Sequence, residues 1–159
     1  MNGMSWVRII VGAVWINGAL EKILNPEFPR QFAASLQAGG FVSQAPPFFR
    51  SFMQDTVVPN AETFAQLMRV GELALGIALV LGLFTNLAAV GSIVLSAMIL
   101  LSQGGVRFGT GLGPPEFLTI NVLIALLSLV ILISLESKTS SANIRFPGRK
   151  RGSSSGSRK

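Results

Sequence analysis

The 159-residue sequence contains no cysteine, no histidine and no tyrosine. Without cysteine there is no disulfide, no thiolate nucleophile and no thiolate metal site. Without histidine the usual zinc and haem ligand and the usual neutral-pH base are missing, and without tyrosine there is no phenol. No metal or haem centre is therefore expected from this chain, and much redox and hydrolytic chemistry is excluded. Charge is scarce as well. Only 13% of residues are charged against 50% hydrophobic, and the mean hydropathy of +0.57 is that of a membrane protein rather than a soluble domain.

The formal net charge of +6 invites a nucleic-acid reading until it is located. Seven basic residues, from Lys138 to Lys159, fall after Glu136 with no acid among them, so the rest of the chain is nearly neutral. This tail is rich in Ser, Gly, Lys and Arg, and is read as a disordered basic segment, residues 137–159, suited to an anionic membrane surface or an acidic partner. Phe146 is its one aromatic residue. Bases would have almost nothing to stack on, and no nucleic-acid partner is expected.

Residues 1–136 read as one membrane domain organised around Gly71-Glu72-Leu73-Ala74-Leu75-Gly76. Glu72 is a carboxylate inside an apolar run that opens near Phe64, eight residues or roughly 12 Å along a helix. Such a group faces a helix-bundle interior or polar cavity, where it finds a cationic partner or takes up a proton. Arg69 stands three residues away, close enough to pair on a helix. The plainer role for Glu72 is a structural pair or hydrogen-bonded glue between helices.

Four apolar spans are expected, at about residues 6–24, 64–84, 87–102 and 117–135. The first is read as a retained span rather than a secretory signal, because Trp15 and Asn17 interrupt its core and no convincing cleavage site precedes Glu21-Lys22. Arg8, Gly12, Trp15 and Lys22 share one face of it, the face expected to look inward. Arg8 and Lys22 sit near opposite ends and can equally snorkel to the interfaces. Ala74, Ala78 and Gly82 form a small-residue stripe on the second span, and Ala88, Ser92 and Ser96 another on the third. A turn at Thr85-Asn86 implies a tight hairpin of these two spans. On the fourth, Asn121, Ala125 and Ser128 share a face, with Asn121 a possible ligand donor or interhelical glue.

The connection from residue 25 to 63 carries six phenylalanines. Phe28, Phe32 and Leu36 recur every four residues, and Phe48, Phe49, Phe52 and Met53 form a second stripe. Both suggest short amphipathic helices against the membrane surface or capping the bundle, or a lid over an apolar ligand. Pro26, Pro29, Pro46, Pro47 and Pro59, with Gly39-Gly40, divide the pieces. The glycine-rich residues 103–116 lack the Gly-Lys-Ser/Thr of a phosphate loop and read as a flexible connection, whose Arg107 can reach Glu116 or the bundle mouth. The basic tail should stay cytoplasmic, and an even number of spans puts the N-terminus on the same side of the cytoplasmic membrane. The fold expected is all-α, an integral membrane four-helix bundle with N-in/C-in topology, its Phe-rich connection facing outward.

Arg8, Gly12, Gly18, Lys22 and Pro26, followed by Gly71-Glu72-Leu73-x-x-Gly76-x-x-Leu79-x-x-Gly82-Leu83-x-Thr85, resemble the DoxX family of small four-helix membrane proteins. Its members include the small subunit of a thiosulfate:quinone oxidoreductase. The resemblance covers about residues 5–135; Asn86 stands where the family usually has a basic residue, and the tail lies outside the pattern. It implies a quinone-associated subunit of a membrane oxidoreductase, with Glu72 serving a quinone carbonyl, Arg69, Lys22 or Asn121 as further donors, and Arg8 and Trp15 on the inward face. Quinone is the one cofactor implied. With no conventional ligand for an electron carrier, any enzyme activity needs a partner subunit. Partner chains or a homo-oligomer are expected beside the lipid bilayer. The alternative is a non-catalytic subunit that stabilises or assembles a larger complex. A small proton or ion transporter using Glu72 is more distant, because four spans are few and no inverted repeat is evident.

Overall fold

A computed structural model describes residues 3–37, 40–104 and 115–143, with side chains of 120–134 in the last stretch. The described residues are helical throughout, with no strand. The chain forms α1 (Gly3–Leu24), α2 (Phe28–Leu36), α3 (Phe41–Gln44), α4 (Pro47–Phe52), α5 (Ala61–Leu81), α6 (Thr85–Ser102) and α7 (Pro115–Asn143). Residues 105–114, including Arg107, the side chain of Glu116 and the tail from residue 144 lie outside the described residues. Helix α7 continues to Asn143, past the point where the tail was expected to begin. No Gly or Pro interrupts the sequence between Pro115 and Pro147, so nothing in it breaks the helix there.

Two helical breaks differ from expectation. Pro59 does not divide the Phe-rich connection from the second span. The helix runs continuously from Pro47 to Leu81, changing pitch through a π turn at Met53–Val57 and a 3-10 turn at Val58–Asn60. Proline has no N–H to donate, and a local change of helical pitch carries the chain past it. The turn between α5 and α6 is Gly82-Leu83-Phe84, not Thr85-Asn86. Gly82 adopts φ +75° and its N–H donates to the Ala78 carbonyl, which also accepts from Leu83 N at 2.9 Å. That left-handed glycine closes α5.

The four long helices pack in a closed order. Helix α1 lies mainly against α5 and α6 mainly against α7, with lesser contacts joining α5 to α6 and α1 to α7. The expected tight α5–α6 hairpin is thus the looser arrangement, and each of the two takes its main partner from elsewhere in the chain. The reason lies in which small residues meet. Gly12 and Gly76 face each other so closely that a β-carbon on Gly76 would fall 2.8 Å from the Gly12 carbonyl oxygen and 2.6 Å from Ile16 Cγ1. By contrast Ala74 is exposed, so the predicted Ala74–Ala78–Gly82 stripe is not the packed one. The stripe on α6 is, with Ala88, Ser92 and Ser96 all buried.

Two apolar cores result. Val11, Trp15, Leu79, Ala88, Ile124 and Ile131 close the space between the four long helices. Leu36, Val42, Ala45, Met53, Val57 and Ala61, flanked by phenylalanines such as Phe32, Phe49 and Phe64, form a second core under α2–α4. The expected short helices are therefore present: α2 packs on α5, α3 and α4 touch α6, and together they close over a core of their own.

The outer surface is strongly apolar. Leu67, Val70 and Leu81 of α5, Leu87 and Val94 of α6, and Ile120, Leu123 and Ile133 of α7 are all exposed. Two helical segments, Pro47–Leu81 and Thr85–Ser102, are long and apolar enough to cross a membrane, and each buries only 22% of its apolar window. A soluble protein would hide such helices; these turn most of their apolar surface outward, as lipid contact requires. A shorter apolar helix spans Ile120–Ser134.

The Gly12–Gly76 approach generates a paired prediction. Gly76→Ala forces α1 and α5 apart and should lower stability in detergent by about 1–3 kcal/mol. Gly71→Ala, on the same helix with nothing within 4 Å of the new atom, should be neutral or raise stability by up to about 1 kcal/mol. Thermal unfolding of the two purified variants checks the contrast, and equal shifts would contradict it.

Candidate functional site

Glu72 lies on α5 between the two cores, with Ala61 of the second core on one side of it and Leu79 of the four-helix core on the other. Its side chain is only 2% exposed, and its Oε2 accepts a 2.8 Å hydrogen bond from Lys22 Nζ in an ion pair. Lys22 belongs to the last turn of α1. Its ammonium also donates to the Gly18 carbonyl at 3.1 Å, a favourable place for a cation near a helix C-terminus.

Gly18 gives the pair its room. A β-carbon there would fall 3.2 Å from Glu72 Oε2 and 3.6 Å from Lys22 Nζ. Lys22 keeps 23% of its side chain exposed against 2% for Glu72, so the pair meets the surroundings on the lysine side.

An aromatic side chain covers this edge. Lys22 Nζ lies 5.9 Å from the centre of the Phe28 ring and Arg69 Cζ lies 5.3 Å from it, both within cation–π range. Phe28 in turn contacts Phe32, ring centres 6.0 Å apart. Arg69 does not pair with Glu72 despite the three-residue spacing. Its Nη2 donates to the Asn25 carbonyl at 2.6 Å and its Nη1 to Gln66 Oε1 at 3.3 Å. The guanidinium thus ties α5 to the chain leaving α1, beside the pair but outside it.

The remaining candidates are distributed along the interior. Trp15 is buried, and its indole N–H donates at 2.7 Å to Ser92 Oγ, which is 2.8 Å from Ser128 Oγ. This links α1, α6 and α7 by hydrogen bonds. Asn121 is buried on α7 together with Ser128, as their shared face predicts. Arg8 belongs elsewhere. Its guanidinium rests against Gly82, ten residues along α5 from Glu72, or about 15 Å. Of the six candidates, Lys22 and Glu72 are in contact, Arg69 flanks them, and Trp15 and Asn121 line the four-helix core. Gly18 and Phe28 are the site residues that sequence reasoning did not single out as such. Gly18 stands one helical turn before Lys22, and that spacing carries the signal.

Among the described residues, one surface hollow is lined by Leu36, Val42, Arg50 and Val58 and another by Pro26, Arg30, Glu62 and Gln66. Neither is lined by Lys22 or Glu72. Among the described residues no group of three or more His, Cys, Asp or Glu side chains is placed to hold a metal ion.

The pairing can be tested by double-mutant cycles. Lys22→Met should destabilise the protein in detergent by about 3–5 kcal/mol, the range for leaving a buried charge without its partner. Replacing Glu72 by Met in the same variant should recover most of that loss. Arg69→Met should show no coupling to Glu72 beyond about 0.5 kcal/mol. A coupling to Arg69 as large as that to Lys22 would contradict the observed partnership.

Residues 3–105 match the family model DoxX. No curated protein and no solved structure matches the chain.

Proposed function

The chain belongs to the DoxX family, and from that premise we propose that it is a four-helix subunit of a quinone-linked oxidoreductase in the cytoplasmic membrane. The observation that carries this reading is the Lys22–Glu72 pair, a buried acid with a partly exposed cation, set where the four-helix core meets the Phe-rich cap. A quinone headgroup needs hydrogen-bond donors at its carbonyl oxygens and a proton source when reduced. Lys22 can donate to such an oxygen, and Glu72 can return a proton through it. Phe28 and Phe32 supply a flat apolar cover with the dimensions of an aromatic ring.

Electrons are brought by a partner subunit, because this sequence has none of the His or Cys side chains that hold conventional carriers. In this reading the C-terminus is cytoplasmic, supported by the basic residues after Glu136, and four crossings return the N-terminus to the same face. The cap then lies on the outer side.

One observation favours a second reading. Glu72 is almost fully buried and is already hydrogen-bonded to Lys22, which is also what an interhelical clamp in a non-catalytic assembly subunit needs. Glu72→Gln separates the two. Under the quinone reading, wild-type protein purified in mild detergent carries extractable quinone. The variant accumulates normally in the membrane but carries about tenfold less, the effect of losing one charge-assisted contact. Loss of the variant from the membrane, with no quinone on the wild type, supports the clamp.

A further inference from the structure

Arg8 stands apart from the site above, at the opposite end of α1, and among the described residues it is the cation left over. Lys22 has Glu72, Arg30 has Glu27, and Arg69 and Arg50 donate to backbone carbonyls. Among the described residues nothing accepts a hydrogen bond from Arg8; its Nε is buried without a partner, as are those of Arg50 and Arg69, but unlike theirs its Nη groups have no acceptor either. An unmatched guanidinium on a membrane protein calls for an anion.

The surroundings are shaped for one. Gly82 has no side chain, and a β-carbon there would fall 2.5 Å from Arg8 Nη1 and 2.9 Å from Nη2. The guanidinium therefore lies flat against the α5–α6 turn. That turn carries two successive left-handed corners, Gly82 and Phe84 at φ +75° and +46°. It leads into α6, whose first turn has no side-chain cap, so backbone N–H groups there are open to an acceptor. The end of α5 offers Arg8 a favourable dipole but, in this geometry, no hydrogen bond. Around the turn, Leu83, Phe84 and Leu87 are exposed, Phe84 at 81%. Apolar side chains flanking a cation are the pattern of a headgroup boundary, where phosphate sits beside acyl chains.

We propose that Arg8 and the Gly82–Thr85 turn bind the phosphate of an anionic phospholipid headgroup, with Leu83, Phe84 and Leu87 against its acyl chains. The guanidinium holds two phosphate oxygens, and Gly82 is the glycine that lets it lie close enough to the turn. The ligand is a lipid rather than free phosphate because the collar around the charge is apolar.

The test uses the full chain in mild detergent, with native mass spectrometry counting retained lipid after addition of phosphatidylglycerol or phosphatidylcholine. The wild type should retain phosphatidylglycerol preferentially. Arg8→Gln should retain about tenfold less, as expected for loss of a charge-assisted bidentate contact. Because Arg8→Gln also alters a packed end, Asn86→Asp provides a second variant. It places the protein's own carboxylate in the first turn of α6, where an acid suits the helix dipole, so it should keep or raise thermal stability and still lose the lipid. Inorganic phosphate in millimolar excess should leave the lipid bound. Retention unchanged in both variants, equal retention of phosphatidylcholine, or displacement by inorganic phosphate would each overturn the proposal.

Discussion

One constraint shapes the middle of this molecule: a carboxylate has been placed inside an apolar helix and must be satisfied there. Glu72 sits midway along α5, and the group that answers it is at the C-terminal end of α1. For Lys22 to reach it, α1 must run antiparallel to α5 with its last turn level with Glu72. The contacts agree, since Gly18 lies against Glu72, Gly12 against Gly76 and Arg8 against Gly82. The ion pair and the glycine crossing thus specify the same register. A slide of one residue along either helix would break the pair and bring a side chain into the crossing.

The same constraint accounts for the cap. Helix α1 ends beside the middle of α5, leaving the first half of α5 without a long-helix partner on that side. Helix α2 takes the place, packing on α5 and contributing Leu36 to the second core. Phe28, at the start of α2, closes over the cations at the junction. The Phe-rich connection is therefore a structural continuation of α1 by other means, and α2 and α3 are short because Pro26, Gly40 and Pro46 restart the chain repeatedly.

Much of this is legible in the sequence, for physical reasons that also mark where legibility ends. Helical periodicity places Arg8, Gly12, Trp15 and Lys22 on one face, and the structure turns that face inward. Apolar length locates α1, α5 and α6 to within a few residues, whereas α7 runs eight residues past its expected end. The partner of Glu72 is a different kind of question. Arg69 is nearer in sequence and correctly spaced, yet a guanidinium three residues away on the same helix also has Asn25 and Gln66 within reach. Lys22 wins through tertiary register, which no local pattern encodes. The small-residue stripes divide the same way. The α6 stripe is buried, whereas on α5 the close contact belongs to Gly76, because a crossing this tight admits no β-carbon at all and alanine spacing is therefore the wrong signal.

Whether the buried pair is only cement can be argued from what surrounds it. Removing two charges from water is expensive, and an apolar pair of similar volume usually stabilises a core as well or better. Helix adhesion alone is already supplied here by the glycine crossing and by the Trp15–Ser92–Ser128 hydrogen bonds, neither of which buries an ion. Gly18 sharpens the point. On a face where a larger apolar residue would add contact area, glycine keeps space beside the carboxylate oxygen and the ammonium. Lys22 retains partial exposure at the junction of two cores. Partial exposure of Lys22 lowers the desolvation cost of the pair in either role, and under the proposed quinone reading it also leaves a donor within reach of a polar headgroup. Clearance, partial exposure and an aromatic cover are the features on which the proposed headgroup contact at this pair rests.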